Sequence, residues 1–197
     1  IVQADTFELG VATLLQVSGL GALQPNTVLI GWSDDELKKP MFARSLRRIC
    51  ELRKNLIVYA EAKVPPERLE PVIDIWWRGR ENGSLMLTLA HLLQQNPRWR
   101  DHAIRVRRII RHSAGLPDVR ADLQQLLDSA HIKAEIDIRI DDRPAEIIIA
   151  EHSRLSAVCF IGLAWDPAVE PKTDPLHAYE RPLALLQGHF FIAKNWQ

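Results

Sequence analysis

The stretch VIDIWWRGRENGS, residues 72–84, holds the residue types best suited to chemistry in this chain. Asp74 sits in an apolar, β-branched run with Trp76 and Trp77. The run gives way to a charged segment carrying Gly79 and Gly83, and then to Ser84 ahead of the apolar SLMLTLAHLL. A strand, a glycine-bearing turn and a helix N-terminus form the arrangement that binds anions through free backbone N–H groups. Asn82-Gly83 is a turn dipeptide, and Ser84 has the side chain of an N-cap. Asp74, Gly79, Gly83 and Ser84 are therefore the weak candidates for binding a nucleotide phosphate. Against this, the stretch has neither the GxxxxGKS/T spacing with its lysine nor a GxGxxG, and Glu81 would repel a phosphate. A plain β–α connection is the stronger reading.

Asp74, flanked by isoleucines, belongs either on a polar face or in the interior with hydrogen-bond donors around it. The second is favoured, with a neighbouring turn or an arginine as the donor. Trp76 and Trp77 point to opposite faces of a strand, so they cannot line one pocket. At least one of them is expected as core packing or interface surface, and with Trp99 they are the candidates for an interface. Between residues 98 and 111, Arg98, Arg100, Arg105, Arg107, Arg108 and Arg111 face one acid, Asp101. Basic plus aromatic residues can mean nucleic acid. Here the charges spread over both faces of a strand and are offset by acids between 135 and 151, so a paired, solvated face is expected and nucleic acid is not. Enzyme templates are absent: no GxSxG, HExxH, HxE with CxxC, or DxDxDG. The seven histidines scatter without ligand spacing, so no metal and no catalytic residue is expected.

The elements that must position these residues read as an α/β sheet, with short β-branched runs alternating with helical patterns. Strands are predicted over residues 27–32, 55–60, 72–77, 103–110, 134–140, 157–164 and 189–194. Helices are predicted over 4–17, 35–54, 84–95, 117–130, 144–155 and 176–187. The runs AIRVRRII and AEIDIRI alternate apolar and charged residues, which assigns them to a sheet edge with a basic row beside an acidic one. VLIGWSDD, a helix and NLIVYAEA echo CFIGLAWD, a helix and HFFIAKNW. This suggests two copies of one fold: residues 1–66 as the C-terminal part of a first half-domain, and 67–197 as a complete second one. The fold class expected is a three-layer, mostly parallel sheet with helices on both faces.

Bulk composition agrees with a globular protein: 197 residues, 47% hydrophobic, 25% charged, formal net charge zero. Zero net charge gives no field to recruit nucleic acid or anionic lipid. Cys50 and Cys159 form no CxxC pair, which fits a reducing compartment. The charge-free stretch 9–33 is broken by Gln16, Ser18, Gln24, Pro25 and Asn26, so helix, turn and strand are expected rather than membrane insertion. The chain opens at Ile1 in mid-pattern, as a piece of something longer would.

VSGLGALQPNTVLIGW, IDIWWRGRENGSLMLTLAHLLQQNPRWRDHAIRV and IAEHSRLSAVCFIGL, in that order, resemble the cytosolic C-terminal region of cation-chloride cotransporters and their prokaryotic relatives. The resemblance implies two similar α/β halves related to the universal stress protein fold, following a multi-helix transport domain in the same polypeptide. It implies a homodimer at the cytoplasmic side of a membrane that regulates transport and does not catalyse, within the amino-acid/polyamine/organocation permease superfamily. The dimer surface is expected on the helices or edge of the second half. The alternative that the resemblance implies is an ATP- or AMP-binding sensor module of universal stress protein type, and the absence of the stress-protein phosphate pattern after Gly162 argues against it. The run WDPAVEPKTDPLHAYERP is interrupted by prolines where that family tends to a longer helix.

Overall fold

The structure, a computed structural model, describes residues 3–17, 25–32, 35, 38–165 and 176–196. The GLG element at 19–21 and most of the proline-interrupted run, 166–175, lie outside the described residues. The strands are β1 Thr27–Gly31, β2 Asn55–Ala60, β3 Glu70–Trp76, β4 Ala103–Ile110, β5 Glu135–Ile140, β6 Ser156–Gly162 and β7 His189–Lys194. The helices are α1 Phe7–Val17, α2 Lys39–Glu51, α3 Arg80–Gln94, α4 Leu116–Ser129, α5 Ala145–His152 and α6 His177–Leu185.

All seven strands join one sheet in the order β1-β2-β7-β6-β3-β4-β5. Every neighbouring pair is parallel except β2–β7. The placement follows from side-chain chemistry. β6, SAVCFIG, is buried along its whole length and lies in the middle. The alternating β4 and β5 occupy one side, with β5 at the edge, because a charged row needs a face that is partly wet. Residues 1–66 and 67–197 thus share a single sheet. Each contributes a parallel β–α–β unit, β1–α2–β2 and β6–α6–β7, and the two units meet antiparallel at β2 and β7.

Two cores sandwich the sheet. On one face Met86, Leu87 and Ala90 of α3 and Leu123 and Leu127 of α4 pack on Ile73, Ile75 and Trp77. On the other, Leu46 and Ile49 of α2, Ile148 of α5 and Leu183 of α6 pack on Leu56, Val58, Cys159 and Ile161. The amphipathic α2 carries its buried Phe42, Leu46, Ile49 and Cys50 at helical spacing and has Pro40 in its first turn, where the missing N–H costs nothing. It ends in the left-handed region at Arg53, φ 50°, as helix C-termini often do.

Candidate functional site

Asp74 is fully buried on the α2/α5 face of β3. In the β3–β4 register it stands opposite Arg105, whose Nε donates to Oδ1 at 2.7 Å and whose Nη2 donates to Oδ2 at 3.2 Å. Ser153 and Ser156 each donate a hydroxyl to Oδ2 at 2.6 Å. Arg107 Nε lies 3.1 Å from Oδ1 as an ion pair without hydrogen-bond alignment. Its Nη1 donates to Asp137 of β5 at 2.8 Å, and Arg139 covers Asp137 from the edge. Burial alone would raise the Asp74 pKa, but Arg105, Arg107 and the two serines outweigh it and hold the carboxyl below the ordinary range. This ladder is a satisfied structural carboxylate. It offers no open ligand position.

In an open α/β sheet, ligands bind beyond the carboxyl ends of the strands, where the strand order reverses. Here that point lies between β3 and β6, whose connections run outward in opposite directions. The crevice is filled by the protein itself. Asn82, in the first turn of α3, donates from Nδ2 to Leu163 O at 3.1 Å and accepts the Asn195 N–H at 2.8 Å. Its amide lies so close over Gly162 that a Cβ there would meet Asn82 Nδ2 at 2.9 Å. From the other side the Tyr179 hydroxyl donates to Gly162 O at 2.8 Å and accepts the Ala164 N–H at 3.1 Å. A phosphate cradle needs free backbone N–H groups, and those of Ala164 and Asn195 are already committed to Tyr179 and Asn82.

The four candidate binding residues do not come together. Asp74 is on one face of the sheet, and Gly79 and Ser84 are on the other. There they line a groove of about 780 Å³ between α3 and α4, with Trp77, Arg108 and Leu123. Ser84 is not the N-cap, because α3 begins four residues earlier, at Arg80, after an extended Gly79. Asn82-Gly83 is helix rather than turn. From that first turn Asn82 bonds to Leu163 and Asn195, and position 83 takes a glycine because the Trp77 ring lies where a Cβ would be. Of packing and interface, Trp76 and Trp77 do the first: at 1% and 7% exposure they lie in the core, on opposite faces of the sheet. Trp76 donates Nε1–H to Ser153 at 2.9 Å. Trp99 is half-buried against His102 and His189. Both cysteines are buried thiols, and burial pushes Cys159 well above its usual range, away from reactivity. Asn82 and Tyr179 escaped sequence reasoning, since their partners are backbone groups 81 and 17 residues away.

No protein-family model matches the chain. Its fold is similar to the crystal structure of the cytoplasmic domain of a prokaryotic cation chloride cotransporter, with a TM-score of 0.71 at 14% identity, over 98% of this chain and 70% of that one. In sequence it is 31% identical over 150 residues to potassium/chloride cotransporter 3 of Caenorhabditis elegans. The chain belongs to the cation-chloride cotransporter family. This cotransporter segment aligns over 69% of its own length and spans 14% of the worm protein. Its fold is also that of a universal stress protein from Archaeoglobus fulgidus, with a TM-score of 0.59 at 12% identity over 94% of this chain and 65% of that one. Among the described residues of the cotransporter segment, no helix is long and apolar enough to cross a membrane.

Proposed function

We propose that this segment is a non-catalytic regulatory and dimerisation domain of a cotransporter-like permease, held at the cytoplasmic side of the membrane. Its partners in this reading are the transport domain of the same polypeptide and a twin copy. The observation that carries it is the switch-point crevice of a cotransporter-family fold, occupied by Asn82 and Tyr179 instead of being left open for a ligand. A module of this kind acts through its surfaces. The twin would dock on the helices or the β5 edge of residues 67–197, where Leu92, Ile140 and Leu185 stand exposed. The rival nucleotide-sensor reading needs Asp74, Gly79 and the start of α3 in one cleft, and they are divided between the two faces.

The test is a full-length parent transporter with and without this region. Removing it is expected to change flux and dimer fraction while leaving solute selectivity intact. Unchanged flux and unchanged dimer fraction would refute the proposal.

A further inference from the structure

The register of the sheet has an internal two-fold axis that relates the two β–α–β units. Gly31 stands opposite Tyr59 across β1 and β2, and Gly162 stands opposite Ala193 across β6 and β7. A matching hydrogen bond follows each glycine, Trp32 N–H to Tyr59 O at 2.6 Å and Leu163 N–H to Ala193 O at 2.8 Å. The seam obeys the same symmetry. Carrying Leu56 to Phe190 and Lys194 to Ala60 turns the pair Leu56–Lys194 into Phe190–Ala60, which is itself a pair. α1 packs on α2 as α5 packs on α6. β1 therefore corresponds to β6, with Leu29 in the place of Phe160 and Ile30 in that of Ile161.

The two strands differ in what covers them. β6 lies between β7 and β3, and α3, which follows β3, packs across it. Among the described residues β1 pairs with β2 alone. Phe160 is 1% exposed, whereas Leu29 is 65% exposed. A Cβ on Gly162 would meet Asn82 of α3, and one on Gly31 would meet nothing. On the opposite face a cavity of about 440 Å³ lies among Val11, Leu14 and Leu15 of α1, Val28 and Ile30 of β1, and Phe42 of α2. On the same face of the second unit, Trp76 of β3 stands opposite Ile161 and bonds to Ser153 at the end of α5. Edge strands that face water are normally protected by charge, proline or a bulge. β5, EIDIRI, carries such charges; β1, TVLIG, carries none and has the composition of an interior parallel strand.

We propose that the β1 edge is the docking site for a strand–helix unit upstream in the same cotransporter polypeptide, seated on β1 as β3 and α3 are seated on β6. The incoming strand runs parallel to β1 and accepts the N–H groups of Leu29 and Gly31. These point away from β2, because the Trp32 N–H points toward it and successive N–H groups alternate. Its residue opposite Ile30 is large and apolar and fills the cavity between α1 and α2. The helix that follows crosses Gly31 with its first turn and covers Leu29. The same polypeptide is the source because β3 and α3 lie upstream of β6 in the second unit. The similar cytoplasmic domain of the prokaryotic cotransporter is also longer than this chain, which covers 70% of it. The docking rests on the internal two-fold and the family, not on the assembly proposed above.

Two measurements compare the 197-residue chain with the full-length parent transporter. The first is amide hydrogen exchange at Leu29 and Gly31, expected to be slower in the parent by about tenfold or more. The second is maleimide labelling of Leu29→Cys, followed on the peptide that carries it; Cys50 and Cys159 are buried and stay silent. Its rate is expected to fall by about tenfold or more from chain to parent. An unchanged rate in either measurement overturns the docking. Slow labelling beside unprotected amides, for example, would put another surface over the strand without pairing to it. Labelling of the isolated chain that slows to the parent's rate as concentration rises would assign the edge to a second copy, and overturns the proposal as well. The exchange needs no substitution, so it decides the matter even if Leu29→Cys does not fold.

Discussion

Asp74 and Arg105 face each other across β3 and β4 with Nε–Oδ1 at 2.7 Å, the carboxylate wholly buried and the guanidinium side chain 17% exposed. The pair is the centre of a ladder that joins β3, β4, β5 and the first residue of β6 to the end of α5. Removing the carboxylate would leave Arg105 without its buried anion and the buried Arg107 with Asp137 alone. Asp74→Ala is expected to lower unfolding free energy by about 3–5 kcal/mol, as for other broken buried pairs, measured by urea denaturation. A loss below about 1 kcal/mol, the range of a surface ion pair, would mean the ladder is solvated in solution.

The same carboxylate sets an acid limit. Its folded pKa is depressed, so its contribution is complete above the unfolded value of about 3.9 and disappears as pH falls through the lower folded value. Comparing the acid-unfolding curves of the native chain and Asp74→Asn isolates this part. The native chain should lose stability relative to the variant over that window, and parallel curves would speak against a depressed carboxyl.

Gly83 separates two opposite expectations. In an ordinary helix interior, Gly→Ala adds about 0.5–1 kcal/mol of stability. Here the new Cβ would overlap the buried Trp77 ring. Gly83→Ala should therefore destabilise by about 1–3 kcal/mol, the usual cost of overpacking, with a change in tryptophan fluorescence. A more stable variant would show that Trp77 does not lie against this turn.

Ser153 links Trp76 to Asp74, accepting from the indole at 2.9 Å and donating to Oδ2 at 2.6 Å. Ser153→Ala orphans a buried indole N–H and takes one donor from the carboxylate. The expected cost is about 1–3 kcal/mol by thermal or urea unfolding. A neutral result would require another acceptor to reach Trp76.

The crevice makes a binding prediction. With Asn82 over Gly162 and Tyr179 on the Gly162 carbonyl, calorimetric titration with ATP, ADP or AMP should give no saturable heat. Saturable binding in the micromolar range would mean that the Asn82 plug opens, and would favour the sensor reading.

Much of the fold was legible because it is written in local pattern. The runs at 55–60, 103–110 and 189–194 are strands with those limits, since each alternates or is β-branched between clear breaks. The position of β4 and β5 toward one edge followed from their charged rows, and Arg107–Asp137 is a cross-strand pair of the kind those rows suggest. Arg105 instead turns inward to Asp74, a choice that depends on which strand lies on the other side. The start of α3 was misread for a tertiary reason: Asn-Gly-Ser signals a turn locally, but the Trp77 ring and the backbone at Leu163 and Asn195 reward a helix there. The Tyr59–His189 contact spans 130 residues and leaves no spacing to read.

The central claim, a cotransporter domain that works by assembly, is tested most directly by light-scattering mass of the purified chain over a rising concentration series. A mass that approaches twice the 22.5 kDa of one chain is expected. A mass that stays at 22.5 kDa up to the highest concentration would contradict it.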